Sequence, residues 1–163
     1  MYSRKDYNKE KQARACARYL PVSPKDCREV ARFIMGKKVT VAFNNLNLVL
    51  DKKMAVPFKR YNKDRGHKPG IGPGAYPEKA IKYIQGVLKN AVANAQQKGL
   101  DQSDLIILHA SVNRAVPKER RRGKYAHFEV VLEEKKEQTP AKKTKQKKKV
   151  VEESGQEETG GDK

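Results

Sequence analysis

The stretch that most limits what this chain can become is Leu105–Leu132, LIILHASVNRAVPKERRRGKYAHFEVVL. On the way in, Ile106, Leu108, Ala110 and Val112 share one side of an extended backbone. On the way out, Phe128, Val130 and Leu132 alternate with His127, Glu129 and Val131. A period of two predicts two strands of a sheet with one buried face. The link between them, Arg114–Lys124, carries six cations against the single acid Glu119 in eleven residues. A hairpin closes with a loop of about two to five residues. This link is therefore more than a turn, and its tip is suited to touching polyphosphate.

The chain has 163 residues, enough for one compact domain and something less ordered beside it. Its formal net charge of +18 points to a polyanion partner, since each neutralised phosphate releases counterions. An anionic membrane surface would call for a basic amphipathic helix or a lipid signal, and neither is visible. No apolar run approaches the roughly twenty residues of a transmembrane span. The opening MYSRKDYNKEK has no apolar core of a signal peptide, so the sequence predicts an intracellular protein without a membrane partner. Cys16 and Cys27 match no zinc spacing and are too few for a disulfide scaffold. Both read as small buried apolar residues.

Residues 1–11 form a polar, basic arm, and residues 12–134 hold all the periodic segments. QARACARYL alternates, with Ala13, Ala15, Ala17 and Tyr19 on one side and Arg14, Cys16 and Arg18 on the other, which predicts a first strand. Ser23 as N-cap, Pro24 at the first helical position and Asp26 at the third capping place announce a helix. Cys27, Val30, Ala31 and Ile34 are its buried stripe, and Gly36 ends it. Lys37–Lys53 sets propensity against period, for its β-branched and Asn residues are poor helix formers. Val39, Ala42, Phe43, Leu46, Val49 and Leu50 nevertheless keep helical spacing. Packing of such a stripe outweighs a few tenths of a kcal/mol per residue, so a second helix is predicted. AVPFKRYNKDRGHKPGIGPGAYP then reads as a loose, glycine-rich basic loop. Pro77 opens the longest helix at its first position, with the stripe Ala80, Ile84, Val87, Leu88, Ala91 and Ala95 and with Gly99 past its end. Ala91, Ala93 and Ala95 would let another backbone approach. Residues 135–163 lack apolar periodicity and predict a disordered tail, a lysine block (Lys142–Lys149) followed by an acidic one (Glu152–Asp162). Its nine lysines against six acids leave most of the positive charge on the folded domain.

No constellation here asks for catalysis, a metal or a cofactor. The glycine-rich loop fits neither phosphate-binding nucleotide motif, so no small-molecule substrate is implied. His67, His109 and His127 are scattered; His109 and His127 could face each other across the hairpin, but no third ligand is evident. Glu129 reads as a cross-strand partner of a cation. Lys59, Arg60, Lys63, Arg65, His67 and Lys68, interleaved with Tyr61, read as contacts to an RNA backbone. In the link, Arg114, Lys118, Arg120, Arg121, Arg122 and Lys124 do the same, because planar guanidinium suits bidentate phosphate contact. Arg14 and Arg18 on the polar side of the first strand complete the candidate set. Tyr61, Tyr76 and Tyr125 are open to stacking on unpaired bases or to packing. An architectural DNA- or RNA-binding protein would share the charge and the lysine tail.

ARYLPVSPKDCREVARFIMGK, AVPFKRYNKDRGHKPG, GAYPEKAIKYIQGVLKNAVANAQQKGLD and LIILHASVNR, in this order, closely resemble one family. It is that of the universal large-subunit ribosomal protein numbered twenty-two, or seventeen in older eukaryotic naming. The likeness covers roughly residues 12–134, and VPFKRYN…GHKPG…GPGAYP resembles its archaeal and eukaryotic branch. The resemblance implies an α+β fold: three helices packed on a three-stranded antiparallel sheet, with a protruding β-hairpin. It also implies a non-catalytic, cytoplasmic ribosomal component that binds large-subunit ribosomal RNA near the polypeptide exit tunnel, beside other large-subunit proteins. Arg114–Lys124 is distinctly shorter than the long arm familiar in that family. The expectation is therefore a tip held by phosphates close to the domain, touching the tunnel marginally if at all.

Overall fold

The structure is a computed structural model and describes residues 7–116 and 123–135. The expectations for Lys118, Arg120, Arg121 and Arg122, and for the tail blocks, lie outside these residues. The main sheet has three antiparallel strands in the order β1 (Gln12–Leu20), β6 (Tyr125–Glu134), β5 (Leu105–Ala115). Helices α1 (Pro24–Ile34) and α3 (Glu78–Gln97) pack on it, α1 against β5 and β6, α3 against β1 and β6. Helix α2 (Val39–Leu50) packs on α3 and the start of β5. Three helices on a three-stranded antiparallel sheet is the α+β arrangement expected.

The strand nearest the middle explains the layering. On one face of β6, Ala126, Phe128, Val130 and Leu132 are fully buried under the helices. Facing them across the pairs are Ala13, Ala15 and Ala17 of β1. Small residues suit that position, because Ala91 and Ala95 of α3 are also fully buried and bring the helix down onto β1. Asn94 Nδ2 donates to the Arg14 carbonyl at 3.0 Å and closes the approach. Ala93, by contrast, points to solvent.

Strand β5 departs from the simple alternation. Leu105 and Ile107 are fully buried, whereas Ile106 and Leu108 are only half-buried. The pairing shifts between Ile107, opposite Leu132, and His109, opposite Val131, leaving Leu108 as an extra residue. Such a bulge reverses which side faces in. Ala110 and Val112 thus point inward as expected, while Ile106 and Leu108 do not share their side. All four residues from Leu105 to Leu108 are apolar, so alternation could not reveal the phase. The bulge lies where the chain after α1 docks on the outer edge of β5. There Gly36 N–H donates to the Ile107 carbonyl at 2.8 Å and Ile107 N–H to the Lys37 carbonyl at 3.0 Å.

A second irregularity, between Ala17 and Leu20, moves Tyr19 off the buried side. Tyr19 takes φ 54°, and its ring stands edge-on to His127 at 4.9 Å. Cys16 is exposed on the polar side of β1, contrary to its reading as a buried residue. Cys27 is buried in α1 as expected; burial first and the Asp26 carboxylate second push its thiol up to about 12.

The helix ends differ in detail from expectation. Ser23 precedes Pro24 as N-cap but its hydroxyl makes no capping bond. Asp26 does not complete a capping box; it pairs with Arg65 at 2.9 Å, a partner from a distant segment. Pro77 is the N-cap of α3 instead of its first residue, and Ile81 and Val92 join the buried stripe. Gly99, at φ 72°, turns the chain away just after Lys98, the left-handed conformation that glycine adopts without strain. Lys98 then reaches back over the basic arm, with Nζ donating to the Tyr7 hydroxyl and to the carbonyls of Lys9 and Gln12.

The segment read as a loose loop contains a small sheet of its own, ordered β2 (Val56–Pro57), β4 (Gly72–Ala75), β3 (His67–Lys68). Strands of two to four residues rich in Gly and Pro carry no period to read. Val56 and Phe58 pin this sheet into the core.

The bulge in β5 makes a test. Ile107→Ala should lower stability by about 2–5 kcal/mol, the range for truncating a fully buried aliphatic side chain. Leu108→Ala should cost less than half as much. Urea unfolding of the two variants, with the reverse order as the contrary result, checks the phase.

Candidate nucleic-acid interface

The basic segment after β2 is held from beneath by a carboxylate. Glu29 of α1 is only 1 % exposed, and its two oxygens accept the backbone N–H groups of Lys59 at 3.3 Å and Arg60 at 3.2 Å. Arg32 lies 3.6 Å away on the same helix. A buried carboxylate needs such partners. Here they are the main chain of the loop, so the side chains of Lys59 and Arg60 are left exposed to solvent. Sequence gives no sign of this role, because what covers Glu29 arrives from thirty residues downstream.

Tyr61 follows at once and is the meeting point of three segments. Its hydroxyl accepts from Arg28 Nη1 at 2.7 Å, while Arg28 Nη2 donates to the Val112 carbonyl of β5 at 3.2 Å. Lys25, Arg60 and Arg28 stand 5.5, 5.9 and 6.0 Å from the ring centroid. The loop, α1 and the hairpin are thereby joined through one guanidinium. Beside it opens a cleft of about 440 Å³ lined by Lys25, Arg28, Tyr61, Arg114, Lys124 and Tyr125, with Ser23, Pro24, Ala115 and Gly123 at its edges. No acidic residue is among the described residues that line it.

The structure therefore brings together Arg114 and Lys124, predicted from the hairpin, with Tyr61, noted in the loop. Lys25 and Arg28 were missed; both lie on α1, where a charged residue reads as part of a solvated face. Lys63 and His67 are exposed on the small sheet and its approach, and Lys68 is half-buried 5.5 Å from the ring of Tyr76. Arg65 is engaged elsewhere, ion-paired with Asp26 and 4.5 Å over the ring of Phe58.

Arg14 and Arg18 lie on the opposite, helix-free face of the sheet. With them are Cys16, Tyr19, Asn113, His127 and Glu129, the last at 5 % exposure. His109 and His127 do not face each other. The register sets His127 opposite Asn113 and His109 opposite Val131. His127 Nδ1 accepts the Tyr19 N–H at 3.2 Å, and His109 Nε2 lies 3.7 Å from Glu129. Among the described residues, no three His, Cys, Asp or Glu side chains are grouped to hold a metal ion. Nor, among them, is any helix long and apolar enough to cross a membrane.

The arrangement offers cations on two faces, a fixed aromatic ring and a cleft with no acid among the described residues that line it. Cations beside a fixed aromatic ring suit contact with phosphates and unpaired bases.

Comparison with known proteins points to a family. A family model described as Ribosomal protein L22p/L17e matches residues 15–136. The Saccharomyces cerevisiae protein named large ribosomal subunit protein uL22B is 40% identical over 151 residues, covering 82% of each chain. The Archaeoglobus fulgidus protein named large ribosomal subunit protein uL22 is 40% identical over 122 residues, 73% of this chain and 79% of its own. Its namesake from Sulfurisphaera tokodaii is 35% identical over 150 residues, 82% of this chain and 96% of its own. With the family match spanning most of the chain and relatives in both eukaryotes and archaea, this protein belongs to the L22p/L17e family of ribosomal proteins.

Proposed function

We propose that this protein is a non-catalytic constituent of the large ribosomal subunit in the cytoplasm. In this reading it binds large-subunit ribosomal RNA near the polypeptide exit tunnel, beside neighbouring ribosomal proteins, and supports subunit assembly. The observation that carries it is the cleft with four cations, two tyrosines and no acid among the described residues that line it, continuous with the loop that Glu29 presents. Family membership and the names of the relatives support the same reading. Contacts run along Lys59, Arg60, Lys63, His67 and Lys68 and the foot of the hairpin, with Arg14 and Arg18 serving the other face. The short link Arg114–Lys124 anchors in RNA close to the domain and reaches the tunnel little if at all. The tail beyond Glu134 is dispensable for folding.

Binding of the full chain to deproteinised large-subunit RNA should be strongly salt-dependent. With six to ten phosphates neutralised, affinity should fall roughly 10³–10⁵-fold between about 50 and 200 mM salt. An affinity nearly flat in salt, or no preference for this RNA over random duplex, would overturn the reading.

The loop can be tested separately from its support. Arg60→Glu with Lys63→Glu should weaken RNA binding with little change in the thermal midpoint, since both residues are exposed. Glu29→Ala should lower stability by about 3 kcal/mol, because it strips the Lys59 and Arg60 N–H groups of their charged acceptor. Filter binding and thermal melting of each variant give the two readouts.

A further inference from the structure

We infer that the cleft at the foot of the hairpin receives a single unpaired nucleotide, its base against Tyr61 and Tyr125 and its phosphates on Lys25, Arg114 and Lys124. This rests on the ribosomal RNA reading and specifies what that RNA must present. The size is the first argument. A cleft of about 440 Å³ falls in the range of sites for small ligands, a size suited to one splayed-out nucleotide.

Charge is the second. The neighbouring cleft that opens on the other side of Ser23 mixes Arg65, Lys79 and Lys124 with Asp26 and Glu78. The sheet-face cleft sets Arg18 against Glu129. Only the hairpin-foot cleft, among these three, carries cations with no acid among the described residues. Lys25, Arg114 and Lys124 are exposed, whereas Arg28 is half-buried and occupied by Tyr61 and the Val112 carbonyl. The first three are therefore the phosphate ligands, and Arg28 is a positioning residue.

The aromatic rings are the third. Cations alone would track an RNA backbone; rings beside them add a surface on which an unpaired base stacks. Tyr61 is held in place before any ligand arrives, by Arg28 at 2.7 Å. Such preorganisation removes an ordering cost from binding. Tyr125 lies against the chain at Gly123, where an added Cβ would stand 2.5 Å from its Cε2. Glycine at that position lets the ring lie where it does, and any side chain there would push it aside.

The test uses the full chain with deproteinised large-subunit RNA at fixed salt. Tyr125→Leu should weaken binding by about 5- to 150-fold, the effect of losing one base stack. Gly123→Ala should weaken it in the same direction by displacing the ring. Lys25→Gln with Lys124→Gln, both at exposed positions and so without risk to the fold, should lower the salt exponent by about two. Ultraviolet crosslinking should join the Tyr61 or Tyr125 peptide to one nucleotide that chemical probing finds unpaired. The inference fails if the wild type binds as proposed but these variants match it. It fails equally if the cleft crosslinks to paired nucleotides or to a neighbouring protein. A wild type with no preference for large-subunit RNA would sink the broader reading first, so the two failures are told apart.

Discussion

Strand β6 is the constraint on which the fold depends. It is nearly the last segment of the domain, yet it lies between the first strand and the one before it, and pairs with both. Glu133 is opposite Gln12, across almost the whole length of the domain. Its inner face holds the helices, and its outer face keeps Glu129 and Val131 buried. The sheet is therefore incomplete until the chain is nearly finished, and closure over so long a separation is slow compared with local pairing. The ends are then fastened together. Gln12 Nε2 donates to Glu133 at 3.1 Å, and Lys98 gathers the carbonyls of Lys9 in the arm and Gln12 at the start of β1.

Charge is the second organising force. A net +18 repels itself, and several acids of the domain are placed where they serve structure. Glu29 is buried beneath the loop backbone, Asp26 holds Arg65, and Glu78 and Asp104 answer Lys52 and Lys38. Exposed pairs of this kind contribute little to stability. Their effect is on where the field is left unbalanced. The cations at the hairpin foot face one another without an acid among the described residues between them, a repulsion that a polyanion bound there would relieve.

Much of the fold is legible in the amino-acid sequence. The three helical stripes, Cys27 to Ile34, Val39 to Leu50 and Ala80 to Ala95, follow from spacing alone, because a helix closes its own hydrogen bonds within four residues. The period of two in β6 and the alanine alternation of β1 are equally local. So is the excess of cations, which points to a polyanion whatever the fold. The order of four segments, from ARYLPVSPKDC to LIILHASVNR, is enough to suggest the family.

Only the tertiary structure decided what needs a second segment. Bulges at Leu108 and Tyr19 exist because a neighbouring strand sets the register, and the apolar run from Leu105 to Leu108 hides the change of phase. The small sheet of β2, β3 and β4 is too short and too rich in glycine to show a period. Asp26 left its capping place for Arg65, and Glu29 became the support of a loop thirty residues away. The cleft joins α1, the loop at Tyr61 and both ends of the hairpin link, which meet only in the folded chain. Local periodicity reports which side of an element avoids water; it carries no information on which other element will cover it.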